Sequence, residues 1–180
     1  MPGRVGHHRF ILLAAAGRQL AYVVLVVAHV TSALAGFGAL GLSGVYAGTA
    51  RRFERPDALE EAARYFRARA VGEWAIAAVP LLGAAAVLVE PHSKGLGQPW
   101  IGVGLGLWLV ASAVAGFLAR PARIALEAAL VAATADGVLA TAIGGADSAA
   151  LRKAATRLAV AAAVCDVIFV VAAVDMVVKP

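Results

Sequence analysis

The chain is poor in charged residues and contains a single cysteine. Charged side chains make up 15% of its 180 residues and hydrophobic ones 62%, whereas an average soluble domain is about 25% charged and about 45–50% apolar. So few polar residues cannot cover a water-soluble core, and a disordered chain would be far less hydrophobic. Cys165 stands alone, which excludes an intrachain disulfide and any zinc or iron–sulfur site built from several cysteines. The composition therefore predicts a protein embedded in a membrane.

Motifs of the common enzyme classes are also missing. The sequence contains no P-loop, no HExxH, no CxxC and no Gly-x-Ser-x-Gly motif. The net charge of +5 and the pI near 10.0 would suit nucleic acid. However, the arginines cluster where apolar runs end and form no basic stripe with interleaved aromatics. We therefore expect no nucleic-acid partner, no catalytic residues and no metal site.

Four apolar runs are close to the length of about 20 residues that crosses a bilayer. Because lipid offers the backbone no hydrogen-bond partners, these runs must be helical. The predicted fold is all-α: a transmembrane four-helix bundle with short amphipathic cytoplasmic helices, preceded by an N-terminal tail of residues 1–18. The single membrane domain covers residues 19–180, with spans at about residues 19–46, 70–89, 100–118 and 158–178.

Two further stretches are predicted to be helical without crossing the membrane. Residues 57–69 are amphipathic and should lead directly into the second span. Arg120-Pro121 should end the third helix. Residues 122–143 should lie on the membrane surface or extend the third span, and the alternative is a fifth span. The surface position is preferred because two unpaired carboxylates, Glu127 and Asp136, are costly at depth.

Lysine and arginine positions predict the orientation. The segments that follow the first and third spans lie on the same side of the membrane and hold eleven lysines and arginines. The opposite side holds five. This bias favours a multi-pass membrane protein with both termini outside.

Two ionisable residues lie deep in the predicted spans, His29 in the first and Asp166 in the fourth. With both termini outside they fall at similar depths, which predicts a His29–Asp166 pair inside the bundle. The carboxylate would then orient the imidazole for a cofactor or for proton transfer. The alternative is that His29 hydrogen-bonds a carbonyl or a hydroxyl of a neighbouring helix and serves packing alone.

Glycines predict close helix packing. Gly44 and Gly48 in the first span, and Gly102 and Gly106 in the third, each form a small-xxx-small step. Such steps let two helix backbones approach closely, either within the bundle or with a partner.

Several local motifs together resemble a known group of proteins. They are Ala28-His29-Val30 in the first span, Gly97-Gln98-Pro99-Trp100 before the third, and Met176-Val177-Val178-Lys179-Pro180. The chain resembles a family of small bacterial predicted integral membrane proteins with no assigned function. That family is distantly similar to the CopD-like copper-resistance membrane domain and to the HemJ-type protoporphyrinogen oxidases, four-helix proteins that bind haem through a first-helix histidine. The resemblance implies that His29 matches that histidine.

Two main hypotheses for function follow. The first is a non-catalytic or accessory membrane subunit that packs through its glycine-rich helices, in contact with lipid and with other subunits or further copies of itself. The alternative is a haem- or metal-binding redox protein that uses His29, with Asp166 behind it and haem b as the cofactor. A proton or small-solute carrier that uses the same pair is a third hypothesis.

Overall fold

A computed structural model describes residues 4–52, 56–67, 71–90, 95–135 and 146–178. In these ranges all regular secondary structure is helical, which confirms the all-α prediction. The helices, in chain order, are α1 (Arg4–Arg52), α2 (Pro56–Arg67), α3 (Val71–Val89), α4 (Pro99–Val114), a π-helical segment (Ala115–Ala119), α5 (Arg120–Ala135) and α6 (Ala146–Val178).

Three helical stretches are long and apolar enough to cross a membrane. They are Ala15–Arg51, Pro99–Val131 and Ala149–Val178, and Trp74–Val89 in α3 is a shorter apolar helix. The most apolar windows of the three are only 11%, 6% and 17% buried within the protein. Their large hydrophobic side chains therefore face outward, as lipid-facing residues do. The length and composition of these helices are those of a multi-pass membrane protein.

The first helix is longer than the first predicted span. It begins at Arg4 and has 49 residues, a length of about 74 Å at 1.5 Å per residue. Most of the residues assigned to an N-terminal tail are thus part of α1. The hydrocarbon core is about 30 Å thick, so α1 extends well beyond it.

The third helix does not end at Arg120-Pro121, and that prediction is wrong. Pro121 lacks an N–H group, and its ring crowds the carbonyl four residues earlier, which ordinarily breaks a helix. Here the π-helical segment widens the preceding turn, and the Arg120 N–H bonds the oxygen of Ala115, five residues back. Through this turn α4 continues into α5, which is one of the two positions expected for this stretch. Residues 136–143 lie outside the described residues.

Helices α3 and α6 pack antiparallel on α1. Residues that meet along α1 and α6 run in opposite order, as the Phe37–Phe169 and Gly44–Ala162 contacts show. The same holds for α1 and α3, and α4 packs on α6. Contacts between α3 and α4 are few.

One end of the molecule has a continuous hydrophobic core. We call it the basic end, because exposed arginines and a lysine surround it. It comprises helices α2 and α5, the last turns of α1 and the first half of α6. The amphipathic helix α2 exposes Glu60 and Arg64, which form an ion pair of 3.1 Å. Its other face is buried. The buried cluster consists of Ala47, Ala50, Ala62, Ala63, Phe66, Ala119, Ala122, Leu126, Leu130, Leu151, Ala154, Ala155, Leu158 and Ala161.

Candidate functional site

His29 faces α3 and bonds its backbone. The Nδ1 atom lies 2.8 Å from the carbonyl oxygen of Val79. Because a carbonyl oxygen can only accept, Nδ1 is the donor and carries a proton, and in the neutral imidazole this tautomer has its lone pair on Nε2. A Cβ atom on Gly83 would lie 3.0 Å from Cε1 of the ring and 3.1 Å from Nδ1. Because Gly83 has no side chain, the imidazole can pack directly against α3.

Close to the His29–Val79 bond, a second side chain donates a hydrogen bond to the backbone of α3, at the turn that contains Pro80. Pro80 lies inside α3 and has no N–H, so the carbonyl of Ile76, four residues earlier, loses its helical partner. The indole Nε1 of Trp108 donates to that oxygen at 3.0 Å. We call these five residues, His29, Ile76, Val79, Pro80 and Trp108, the proline-turn site. It joins α1 and α4 to α3.

Sequence reasoning missed Trp108 and Pro80. The available signal was the proline itself, which stands within an uninterrupted apolar run. Such a residue leaves a carbonyl that must find another donor in lipid. A tryptophan in a neighbouring span is one of the few apolar side chains that carries such a donor.

Asp166 lies elsewhere in the molecule. Its two carboxylate oxygens would be 3.1 and 3.2 Å from a Cβ atom on Gly41 of α1. Gly41 is twelve residues beyond His29, about 18 Å along the helix axis. The two residues also differ in direction, because His29 faces α3 and Gly41 faces α6. The structure does not bring His29 and Asp166 together as a pair.

Two other polar atoms within the spans are buried without partners. The Ser112 hydroxyl oxygen and the Asp175 Oδ2 atom have no hydrogen-bond partner among the described residues. Cys165, next to Asp166 but directed inward, is fully buried and places its Sγ 3.6 Å from the carbonyl oxygen of Ala111. These residues are distributed along α4 and α6 and do not converge on His29.

The predicted glycine contacts are realised at one of the four positions. A Cβ atom on Gly44 would lie 2.6 Å from the Cβ of Ala162 in α6, so this glycine permits close contact between the helices. At Gly48, Gly102 and Gly106 such an atom would meet nothing within 4 Å among the described residues. Those three glycines do not contribute to packing between the helices described.

A different pair of glycines, Gly36 and Gly72, lies where α1 and α3 approach each other closely. A Cβ atom on Gly36 would lie 2.5 Å from Cγ1 of Ile76 and 2.9 Å from its backbone nitrogen. A Cβ atom on Gly72 would lie 2.7 Å from the Cβ of Ala39. Together with Gly83, these residues bring α1 and α3 into backbone contact, which supplies the van der Waals attraction that holds helices together in lipid.

A tyrosine clamp holds α2 against α1. The Tyr65 hydroxyl donates to the carbonyl oxygen of Ala39 at 2.9 Å and lies 3.3 Å from the Ser43 hydroxyl. The Tyr65 ring also stacks on Tyr46, with ring centroids 4.3 Å apart. These contacts could not be predicted from the sequence, because they depend on how α2 folds back onto α1.

The site offers a cofactor one nitrogen ligand. A metal-binding histidine commonly donates its other N–H to a carbonyl or carboxylate, and the His29–Val79 bond has this form. However, no group of three or more His, Cys, Asp or Glu side chains that could hold a metal ion occurs in the described ranges. The carboxylate predicted to support His29 lies beside Gly41 instead. His29 could supply one nitrogen ligand to a cofactor, and the described residues around it do not form a metal-binding set.

Comparisons with models of protein families, with curated proteins and with solved structures found no match to this chain. The family resemblance and the haem role that it implies therefore stay predictions. The case for function rests on the geometry described above.

Proposed function

We propose that the protein is a non-catalytic accessory subunit of a larger membrane assembly. One observation carries this proposal: two side chains within its apolar helices, those of His29 and Trp108, bond the backbone of a neighbouring helix. His29 bonds Val79 and Trp108 bonds Ile76. Groups committed to helix carbonyls in this way stabilise packing.

The outer surface of the helices supports the same proposal. Gly102 and Gly106 lie four residues apart on α4, and no described residue approaches the place of a Cβ atom at either of them. The spacing lets a second helix come close, and none of the helices described here uses it. An accessory subunit would use such surfaces to contact its neighbours.

We further propose that the basic end faces the cytoplasm of a bacterial cell and that both termini lie outside. The proposal is supported by the clustering of exposed basic residues from α1, α2, α5 and α6 at this one end. They are Arg51, Arg64, Arg120, Arg152, Lys153 and Arg157. Cysteine labelling of Arg64→Cys in a Cys165→Ala background tests the orientation. Labelling by an impermeant reagent added outside intact cells would contradict it.

The accessory role is tested by the size of the native assembly. The tagged full chain would be extracted from its own membranes in a mild detergent, and its mass measured by light scattering with correction for detergent. We expect a particle much heavier than one 18.2 kDa chain, with at least one other protein in constant ratio. A monomer at native expression level would contradict the accessory role.

The haem alternative is supported by the free Nε2 of His29, and an absorption spectrum of the same preparation separates it from the accessory role. We expect no Soret band in the wild-type protein or in His29→Ala. A band that is present in the wild type and lost in His29→Ala would instead establish His29 as a haem ligand.

A further inference from the structure

Asp166 places a carboxylate on the outer surface of a membrane-spanning helix. It is exposed, within the stretch Ala149–Val178. Within the described ranges no side chain forms an ion pair or a hydrogen bond with it. Its oxygens lie close to the place where Gly41 has no side chain. Asp166 therefore lies at the edge of the contact between α1 and α6, with part of its side chain exposed.

The depth of Asp166 makes this exposure costly. It lies eight residues from Leu158 and twelve from Val178, about 12 and 18 Å along the axis. Gly41, which it touches, is ten residues from Arg51, about 15 Å. Both measures place the carboxylate near the middle of a hydrocarbon core about 30 Å thick. A charged group there is unfavourable, and even a neutral acid leaves a donor and acceptors unsatisfied.

The surface around Asp166 has room for another helix. Gly38 and Gly48 lie on the same side of α1 as Gly41, and a Cβ atom on either would meet no described atom within 4 Å. Val45 between them and Val167 on α6 are each 63% exposed. The result is an exposed strip along α1 and α6 that is lined by small and apolar residues and contains one acid. We call it the Asp166 strip.

The charge of Asp166 identifies the class of partner. In a low-dielectric medium an unpaired carboxylate is best compensated by an opposite charge that also donates hydrogen bonds. A second copy of this chain cannot provide one at that depth, because its apolar helical runs contain no lysine or arginine over residues 19–50, 71–89, 99–119 and 158–178. In a parallel dimer with its two-fold axis along the membrane normal, His29 of the second copy would lie about 18 Å away in depth.

We propose that the Asp166 strip binds a membrane-spanning helix of a different protein, one that carries a lysine or arginine at the depth of Asp166. The inference rests on the proposed accessory role, and it names the surface and the chemistry of the contact. Gly38 and Gly48 let the partner helix approach, and the basic side chain reaches the carboxylate beside Gly41.

The experiment uses a synthetic helix as the probe. The purified full chain, with a donor fluorophore on an added terminal tag, is reconstituted in phosphatidylcholine vesicles. The probe is an acceptor-labelled Leu/Ala helix of about 23 residues, long enough to span, with one arginine at its centre. A second probe carries leucine there, and a third carries the arginine near one end. Energy transfer measures binding.

We expect the central-arginine probe to bind about five- to thirtyfold more tightly than the leucine probe, as interhelical polar contacts in membranes allow. The probe with the displaced arginine should bind like the leucine probe. Asp166→Leu and Asp166→Asn should each remove most of the preference. Asp175→Asn, a change of another carboxylate on α6, should retain it and serves as the matched control.

Three outcomes would overturn the inference. They are equal binding of the arginine and leucine probes to the wild-type chain, a preference that survives both Asp166 substitutions, and association of two labelled copies that depends on Asp166. The first comparison needs no variant, so it remains decisive if a variant misfolds. A native assembly that persists while the arginine probe fails would refute this inference and leave the accessory role intact, whereas a native monomer would refute the accessory role itself.

Discussion

The basic end and the proline-turn site hold their helices together in different ways. At the basic end, fourteen buried residues from α1, α2, α5, α6 and the π-helical segment form one apolar cluster, as in a water-soluble domain. At the proline-turn site, one side chain of α1 and one of α4 donate hydrogen bonds to the backbone carbonyls of Val79 and Ile76 in α3. Glycines also bring α1 and α3 into backbone contact. Apolar burial favours packing where water is the alternative, whereas within lipid close contact and hydrogen bonds must replace it. The basic end is thus held together by apolar burial, and the proline-turn site by hydrogen bonds and close backbone contact.

The largest expected effect comes from the core of the basic end. Phe66 is 1% exposed, and Phe66→Ala should lower the free energy of unfolding by about 3–5 kcal/mol, because it removes a buried aromatic side chain and leaves a cavity. The matched control is Phe117→Ala, since Phe117 is 82% exposed on the lipid-facing surface. Chemical unfolding in detergent micelles measures both. Equal losses in the two variants would refute the contrast between the regions.

A smaller effect is expected where α1 meets α3. Gly36→Ala places a methyl group 2.5 Å from Ile76 Cγ1 and 2.9 Å from a backbone nitrogen that cannot move away without shifting α3. Such overpacking costs typically about 1–3 kcal/mol. Gly38→Ala is the control, because its methyl group meets nothing within 4 Å among the described residues and alanine is the better helix former. Thermal unfolding should rank Gly36→Ala below the wild type and Gly38→Ala at or above it.

The hydrogen bond of Trp108 should depend on Pro80. Trp108→Phe leaves the Ile76 carbonyl, which Pro80 deprives of its helical donor, without any partner, and this should cost about 1–3 kcal/mol. In a Pro80→Ala background, the backbone N–H that the substitution introduces can bond that carbonyl instead. A double-mutant cycle should therefore show a smaller cost of Trp108→Phe there, and strictly additive effects would contradict this account.

The sequence predicts the helices better than it predicts their contacts. Long uncharged runs identify the spans because the hydrocarbon core sets their length, so α1, α4 and α6 were all anticipated. The continuation of α4 past Pro121 was not, because a single π-helical turn can absorb a proline. The lengths of the runs suggested similar depths for His29 and Asp166, yet Asp166 lies beside Gly41, about 18 Å from His29 along α1. The two residues also face different neighbours, and the sequence does not show which face of α1 meets which helix. A helix that is apolar all round has no periodic pattern of polar residues from which its packing face could be predicted.

The smallest effect is expected at His29. Its Nδ1–H donates to the Val79 carbonyl, which also accepts the helical N–H of Gly83, so His29→Leu removes one of two bonds rather than the only one. Interhelical hydrogen bonds of this kind contribute on average about 0.6 kcal/mol, less than the cost expected for Trp108→Phe. The free energies of unfolding of the two variants are compared in the same micelles. Their difference shows how much more a side-chain donor contributes at a carbonyl that has lost its helical partner than at one that keeps it. A loss at His29 larger than at Trp108 would mean that the imidazole has a role beyond packing.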